Sequence, residues 1–275
     1  MTSTAARADD DELELLLEEV VQLEHQDFRG YARSSLRRCV TRAQERQGGV
    51  TLAALRARVR VDADARAMLV DCLTTTVSEL FRDPPYFCAL REQGIPHLAT
   101  WPSIRVWVAG CGAGEEAWSI AILLAEAGLL DRARIYGTDI DGEALRVAER
   151  ARYPATRLGS LQERYRTAGG SDGLSKHLHE RDGQLVLDGA LRARVSFAEH
   201  SLATDAAFAE VQLVSCRNVL IYFGAALRER TLGMFQDALC PGGLLGLGAQ
   251  ETLGPVGAAP RFVPFAEAAR LYRRP

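Results

Sequence analysis

The chain has 275 residues, 47% of them hydrophobic and 25% charged, with a formal net charge of −3. That is enough sequence for one large domain or two smaller ones with a full core, and the charge balance excludes a strongly basic nucleic-acid binder. The longest apolar stretch, "IAILLAEAGLL", is too short to cross a bilayer and carries Glu126, so direct membrane insertion is not expected.

Residues 11 to about 80 carry only helical patterns. "ELELLLEEVVQLEH", "FRGYARSSLRRCVTRAQER" and "DADARAMLVDCLTTTVSEL" space their apolar residues at helical intervals, with "QGG" at 47–49 and short polar breaks between them. Pro84 and Pro85 in "RDPPYF" are expected to stop any helix. From residue 103 strands and helices alternate. "IRVWVA" reads as a buried strand, "EEAWSIAILLAEAG" as a helix ending at Gly128, "ARIYGTDI" as a second strand and "DGEALRVAERARY" as a second helix. "RARVSFAEHS" and "VQLVSCRNVLIY" are further strand candidates. "AALRERTLGMFQDAL" reads as a helix capped by "CPGG", and "GLLGLGAQETL" and "ARLYRRP" as late strands. Such alternation predicts a mostly parallel sheet with helices on both faces. It lapses between about 154 and 190, where a polar, Gly-rich run suits a small inserted subdomain. The expected organisation is an all-helical domain over 1–85 and an α/β domain over 86–275.

Cys39, Cys72, Cys88, Cys111, Cys216 and Cys240 form no C-x-x-C pair, and none sits beside a histidine at metal-ligand spacing. They are expected to be buried reduced thiols of a cytoplasmic protein without a metal site. The opening "MTSTAARADDDELE" is acidic and polar, unlike a signal peptide.

The stretch with the most chemistry is "VWVAGCGAGEEAW", 106–118. A glycine loop after a strand of an open α/β sheet lies where such sheets bind ligands. A dinucleotide fingerprint would need a final glycine where Glu115 stands, so the loop is G-x-G-x-G instead. A pyrophosphate would meet like charge at Glu115 and Glu116, at a cost on the order of several kcal/mol in a partly buried site. S-adenosylmethionine has no phosphate and carries a sulfonium and an ammonium, so acids at the loop suit it. One of the glutamates, Glu116, is expected at the helix N-terminus, favouring its dipole. Asp139, at the tip of the next strand, is placed to accept from both ribose hydroxyls, and Asp141 is left as the cap of the following helix.

With these residues in place, "LTTTVSELFRDPPYF", "IRVWVAGCGAGEEAWSIA", "IYGTDID", "CRNVLIYF" and "PGGLLGLGAQETL", in this order, resemble the chemotaxis receptor glutamate O-methyltransferases, the CheR family. "DFRGYARSSLRRCVTR" extends the resemblance over nearly the whole chain. It implies a helical N-terminal domain and a Rossmann-like class I methyltransferase domain with a small β-rich insertion. It also implies methyl transfer from S-adenosylmethionine, which leaves as S-adenosylhomocysteine, to glutamates on the cytoplasmic helical domain of a chemoreceptor. The cofactor contacts it implies are Thr76, Ser78, Arg82, Ala109, Glu115, Asp139, Ser201, Leu202, Asn218 and Val219, with Arg82 and Tyr222 at the reacting end. The sequence departs from the usual pattern: Thr76 and Ser201 stand where asparagine is common, Ser78 where threonine is, "GEEAWS" for "GEEPYS" and "GAQETL" for "GHSESL".

A glutamate nucleophile is already ionised at neutral pH, with a pKa of about 4.3, so displacement at a methyl group needs no general base. None of the histidines at 25, 97, 177, 179 and 200 falls in a motif. Arg82 is the expected carboxylate holder. The departures at 76, 78 and 201 keep a second reading open, a non-catalytic relative that signals by binding cofactor or receptor. Finally, on the helix around 30–46, Ala32, Leu36, Cys39, Val40 and Ala43 form one face, expected to be core. Arg33, Arg37, Arg38, Arg42 and Arg46 cover the rest, an unbalanced basic surface for docking acidic receptor helices.

Overall fold

A computed structural model describes residues 2–74, 78–171, 173–254 and 261–275. The chain divides into two compact units. One comprises Met1–Thr76, Ala203–Asp205 and Tyr222–Arg230; the other comprises Val77–Leu202, Ala206–Ile221 and Thr231–Pro275.

The first unit is built on α1 (Thr2–Glu24), α2 (Arg33–Arg46), α3 (Leu52–Val61) and α4 (Ala63–Thr74). Its core is the apolar stripe of each helix: Leu13, Leu16, Leu17 and Val20 of α1, Leu36, Cys39, Val40 and Ala43 of α2, Leu55 and Val59 of α3, and Leu69, Cys72 and Leu73 of α4. The core face expected of α2 is present, except that Ala32 is its half-buried N-cap. Helix α3 does not stand out in the sequence, because arginines at 56, 58 and 60 surround its two deeply buried positions, Leu55 and Val59. What starts it is Thr51, whose side chain accepts from the Ala54 N–H as an N-cap. Residues 222–224 join this unit through the backbone: Ala32 N–H donates to Tyr222 O and Gly224 N–H to Gly30 O.

The second unit opens with α5 (Pro84–Ala89), a π turn at Leu90–Gly94, and α6 (Ile95–Leu98). The prolines therefore begin a helix rather than end one: α4 stops at Thr74, ahead of them. They occupy its first turn, where the missing N–H would have had no partner. The unit continues with β1 (Ile104–Ala109), α7 (Glu115–Glu126), β2 (Ala133–Asp139) and α8 (Gly142–Arg150). The excursion holds β3 (Arg152–Pro154), α9 (Leu158–Thr167), β4 (Leu178–Arg181), β5 (Gln184–Leu187) and α10 (Gly189–Arg192). Then follow β6 (Val195–Glu199), β7 (Val211–Cys216), α11 (Ala225–Ala238), β8 (Leu239–Leu247), β9 (Val263–Ala266) and β10 (Leu271–Arg273).

Seven strands form a sheet in the order β6-β2-β1-β7-β8-β10-β9, parallel except for β10, which runs antiparallel to both its neighbours. The remaining strands form a small antiparallel sheet, β3-β5-β4. Strand "VQLVSCRNVLIY" stops at Cys216, and its remainder turns through a 3₁₀ segment, Leu220–Tyr222. "CPGG" is no helix cap: it lies inside β8, whose pairing with β7 shifts register there. Helix α9 of the excursion is tied to α7 by a half-buried polar contact: the Tyr165 hydroxyl donates to Glu126, which also takes Arg91 at 2.6 Å. The strand order reverses at β1, between β2 and β7. The carboxyl end of β1 is therefore the switch point where an open parallel sheet leaves a crevice.

Candidate cofactor site

The glycine loop occupies that crevice. Gly110, Gly112 and Gly114 have φ of 71°, 52° and 87°, in the left-handed region that favours glycine. A side chain at 110 would collide with Val219, and a Cβ at 114 would lie 2.6 Å from that of Ala148 on α8. The loop is held to β2 by Gly110 and Cys111 N–H donating to Thr138 O at 2.7 and 2.9 Å. Gly112 N–H donates to Asp139 Oδ2 at 2.7 Å.

Asp139 is buried at the tip of β2, and its Oδ1 accepts from the Asp141 N–H at 3.0 Å. Burial raises its pKa, opposed by the N–H groups of Asp141, Gly112 and Ile140. Asp141 is the N-cap of α8, accepting from Glu143 and Ala144. Ser201 and Leu202 follow directly: His200 N–H donates to Asp139 O, Leu202 is buried and Ser201 half-buried. The His200 ring faces away into an aromatic cluster, 5.3 Å from Trp107, with Nε2 3.0 Å from Ala206 O.

Glu115 is 3% exposed at the start of α7. Its carboxylate accepts from the Ser78 hydroxyl, and its Oε1 lies 3.3 Å from Arg157. Burial, the largest influence, raises its pKa. Its Oε2 is buried and has no hydrogen-bond partner among the described residues. A buried, orphaned carboxylate oxygen at this loop suits a cationic ligand and repels a pyrophosphate.

Residues 76–265 match the family described as CheR methyltransferase, SAM binding domain. A Pseudomonas putida protein named as the methyltransferase Cher3 is 43% identical over 271 residues, covering 98% of this chain and 99% of the relative. Chemotaxis protein methyltransferase 1 of Pseudomonas aeruginosa is 30% identical, covering 78% of this chain and 80% of that protein. The chemotaxis protein methyltransferase of Listeria innocua is 31% identical, covering 67% and 68%. The chain belongs to the CheR methyltransferase family. Its cofactor is S-adenosylmethionine, and the acid-lined loop fits that cation.

Around this CheR loop the second unit brings together Ser78, Ala109, Glu115, Asp139, Ser201 and Leu202. Thr76 lies outside the described residues, and Tyr222 is half-buried in the first unit. Arg82 is half-buried between two residues with left-handed backbone, Phe81 (φ 54°) and Asp83 (φ 56°). Asn218 is left-handed too, at φ 62°. It is fixed by Glu251, which lies within the "GAQETL" motif but is not among the expected contacts. That carboxylate is 3% exposed and accepts from the N–H groups of Gly248, Asn218 and Val219 at 2.5, 3.0 and 2.8 Å.

Glu116 stands in the first turn of α7, as expected, but its side chain does not cap the helix: it reaches to β7, accepting from Ser215 Oγ at 2.6 Å and Arg217 at 3.1 Å. Nor are the α2 arginines unbalanced. Arg33 pairs with Glu14, Arg37 with Asp10 at 2.7 Å, and Arg46 with Asp71. Arg38 and Arg42 are exposed and make no ion pair among the described residues; Arg38 donates to Ser35 Oγ at 3.3 Å.

Proposed function

We propose that this protein methylates glutamate side chains in the cytoplasmic helical domain of a chemoreceptor, forming methyl esters, and that it acts in the cytoplasm. The observation that carries this reading is the backbone around Arg82. Left-handed conformations at non-glycine residues cost on the order of 1 kcal/mol or more each and persist where surroundings over-determine them, often at functional sites. Phe81 and Asp83 bracket Arg82 in this way, a fixed cation suited to a carboxylate.

The bound cofactor supplies an electrophilic methyl group on a sulfonium. Glu115 offsets its positive charge, with Ser78 holding the carboxylate. Asp139 receives the ribose hydroxyls with whatever acceptor capacity the loop N–H groups leave. Ser201, Leu202, Asn218 and Val219 would hold other parts of the cofactor, and Ala109 ends β1 at the loop. Thr76 belongs with Ser78 by sequence, and Tyr222 with the reacting end by resemblance. Arg82 orients a carboxylate, and the remaining work is alignment and exclusion of water.

Incubation with methyl-labelled cofactor and a purified chemoreceptor cytoplasmic fragment should place base-labile label on the fragment. Cofactor binding without any label would favour the non-catalytic relative. The rate should plateau once the substrate glutamate is ionised, above about pH 5–6. A rise centred between roughly pH 6 and 8 would instead point to a histidine base.

A further inference from the structure

Arg217 is the most deeply buried charge in the second unit's described ion pairs, its side chain 1% exposed. It lies one residue beyond the end of β7, and its guanidinium gathers three segments. Nη1 donates to Glu116 Oε2 at 3.1 Å, at the start of α7. Nη2 donates to Asp83 Oδ2 at 2.9 Å and to the backbone carbonyl of Arg82 at 3.0 Å. Its carbon sits 4.2 Å over the ring of Tyr86 and 5.3 Å from that of Phe87. Glu116 is held in turn by Ser215, whose hydroxyl is 2.7 Å from that of Tyr86. Because Ser215 donates to Glu116, Tyr86 donates to Ser215.

The group is thus shielded from solvent and already engaged by two carboxylates, so it is no ligand for cofactor or substrate. Its position has two consequences. It grips the carbonyl of Arg82 itself, between the two left-handed residues, and it anchors the chain entering Asn218 and Val219. It also occupies the carboxylate of Asp83, which is covalently next to Arg82 and 40% exposed. Without Arg217, that carboxylate becomes a competing anion beside the Arg82 cation.

We propose that Arg217 is a positioning residue for cofactor binding: it fixes Arg82 and the Asn218–Val219 turn, and keeps the Asp83 carboxylate from neutralising Arg82. The idea rests on Arg82 holding a carboxylate of the cofactor. A lysine at 217 keeps the charge, but a single ammonium cannot reproduce the planar fork that reaches Glu116, Asp83 and the Arg82 carbonyl together.

Calorimetric titration with S-adenosylhomocysteine needs no receptor and tests this directly. Arg82→Ala should bind at least about tenfold more weakly, the scale of one charge-assisted hydrogen bond. Arg217→Lys should bind weakly too, and Arg217→Lys with Asp83→Asn should recover most of that loss, because the competing charge is gone. A role confined to holding the fold would show recovery of the melting temperature without recovery of affinity, so both are read for each variant. Arg217→Met serves as a second background for the same rescue, with thermal melting of each variant to confirm a folded protein. Unchanged binding in Arg82→Ala would sink the reading on which the idea rests. Weak binding in Arg82→Ala, with no recovery in either double variant, would overturn the positioning role alone.

Discussion

Glu115 shows how one buried carboxyl can be costly to the fold and useful to the site. Burial holds its pKa above the ordinary glutamate value, despite the Ser78 hydroxyl and Arg157. The folded protein therefore binds this proton more tightly than the unfolded chain does. The group's contribution to stability is fully present below the ordinary glutamate pKa and is lost as pH rises through the raised one. Glu115→Gln removes that pH-dependent penalty. Free of cofactor, the variant should melt higher than the parent protein at neutral pH, with the difference fading towards about pH 4. It should also bind S-adenosylmethionine at least about tenfold more weakly, since a neutral amide forfeits a charge-assisted contact worth roughly 1.5–3 kcal/mol. Scanning calorimetry and isothermal titration read the two effects separately. An unchanged affinity would remove Glu115 from the site, and a lower melting temperature would show that its ionised form is satisfied.

At the scale of elements, the glycine loop depends on close helix packing as much as on its own turn. Gly114 starts α7 at φ 87° and faces Ala148 of α8. Gly114→Ala should therefore cost about 1–3 kcal/mol of stability, the range for overpacking a filled site. Denaturant unfolding measures this, and a loss under about 0.5 kcal/mol would mean that the helices give way easily. The elements that position this loop were legible because each carries its own signal. Strands β1 and β2 are short apolar runs ending in the loop and in Asp139, and the intervening helix is bounded by Gly114 and Gly128. What escaped was set by tertiary contacts. Pro84 and Pro85 read as a stop, but they open α5. "CPGG" reads as a cap, but pairing with β7 draws it into a strand. Arg217 and Glu251 are charged residues at element ends, a pattern that ordinarily marks solvent. Only the fold shows that the first is enclosed by Tyr86, Glu116 and Asp83, and that the second clasps the backbone N–H groups of Asn218 and Val219. Among the proposed cofactor residues, Glu115 and Asp139 are readable from loop chemistry, and Ser78 only from the family motif. The hydroxyl that Ser78 keeps in place of threonine's is the one that reaches Glu115.

Over the whole molecule the net charge of −3 conceals a sorting of charge. Five of the acids of α1 are matched to arginines of other helices in the first unit: Asp10 to Arg37, Glu14 to Arg33, Glu12 and Glu19 to Arg56, and Glu24 to Arg66. The exposed pairs among these contribute little to stability, but with Arg46–Asp71 they engage three of the five arginines read as a basic surface on α2. Arg38 and Arg42 are the part of that surface without an acidic partner among the described residues. Four residues apart, they lie on one side of the helix, away from the buried face of Leu36, Cys39, Val40 and Ala43. If an acidic receptor helix docks on α2, these two supply its net attraction, and Arg33 and Arg37 supply less because Glu14 and Asp10 already hold them. Arg38→Glu with Arg42→Glu should then lower receptor methylation at least about tenfold at low salt, as expected for two reversed charges in a steered encounter. Cofactor affinity and melting temperature should stay unchanged. Raising salt to about 1 M, where the screening length is about 3 Å, should shrink the gap between variant and parent. Reversing Arg33 and Arg37 instead should have the smaller effect on methylation. Equal losses from both pairs would mean that the intramolecular acids yield to the receptor, and no loss from either would place receptor recognition off this helix.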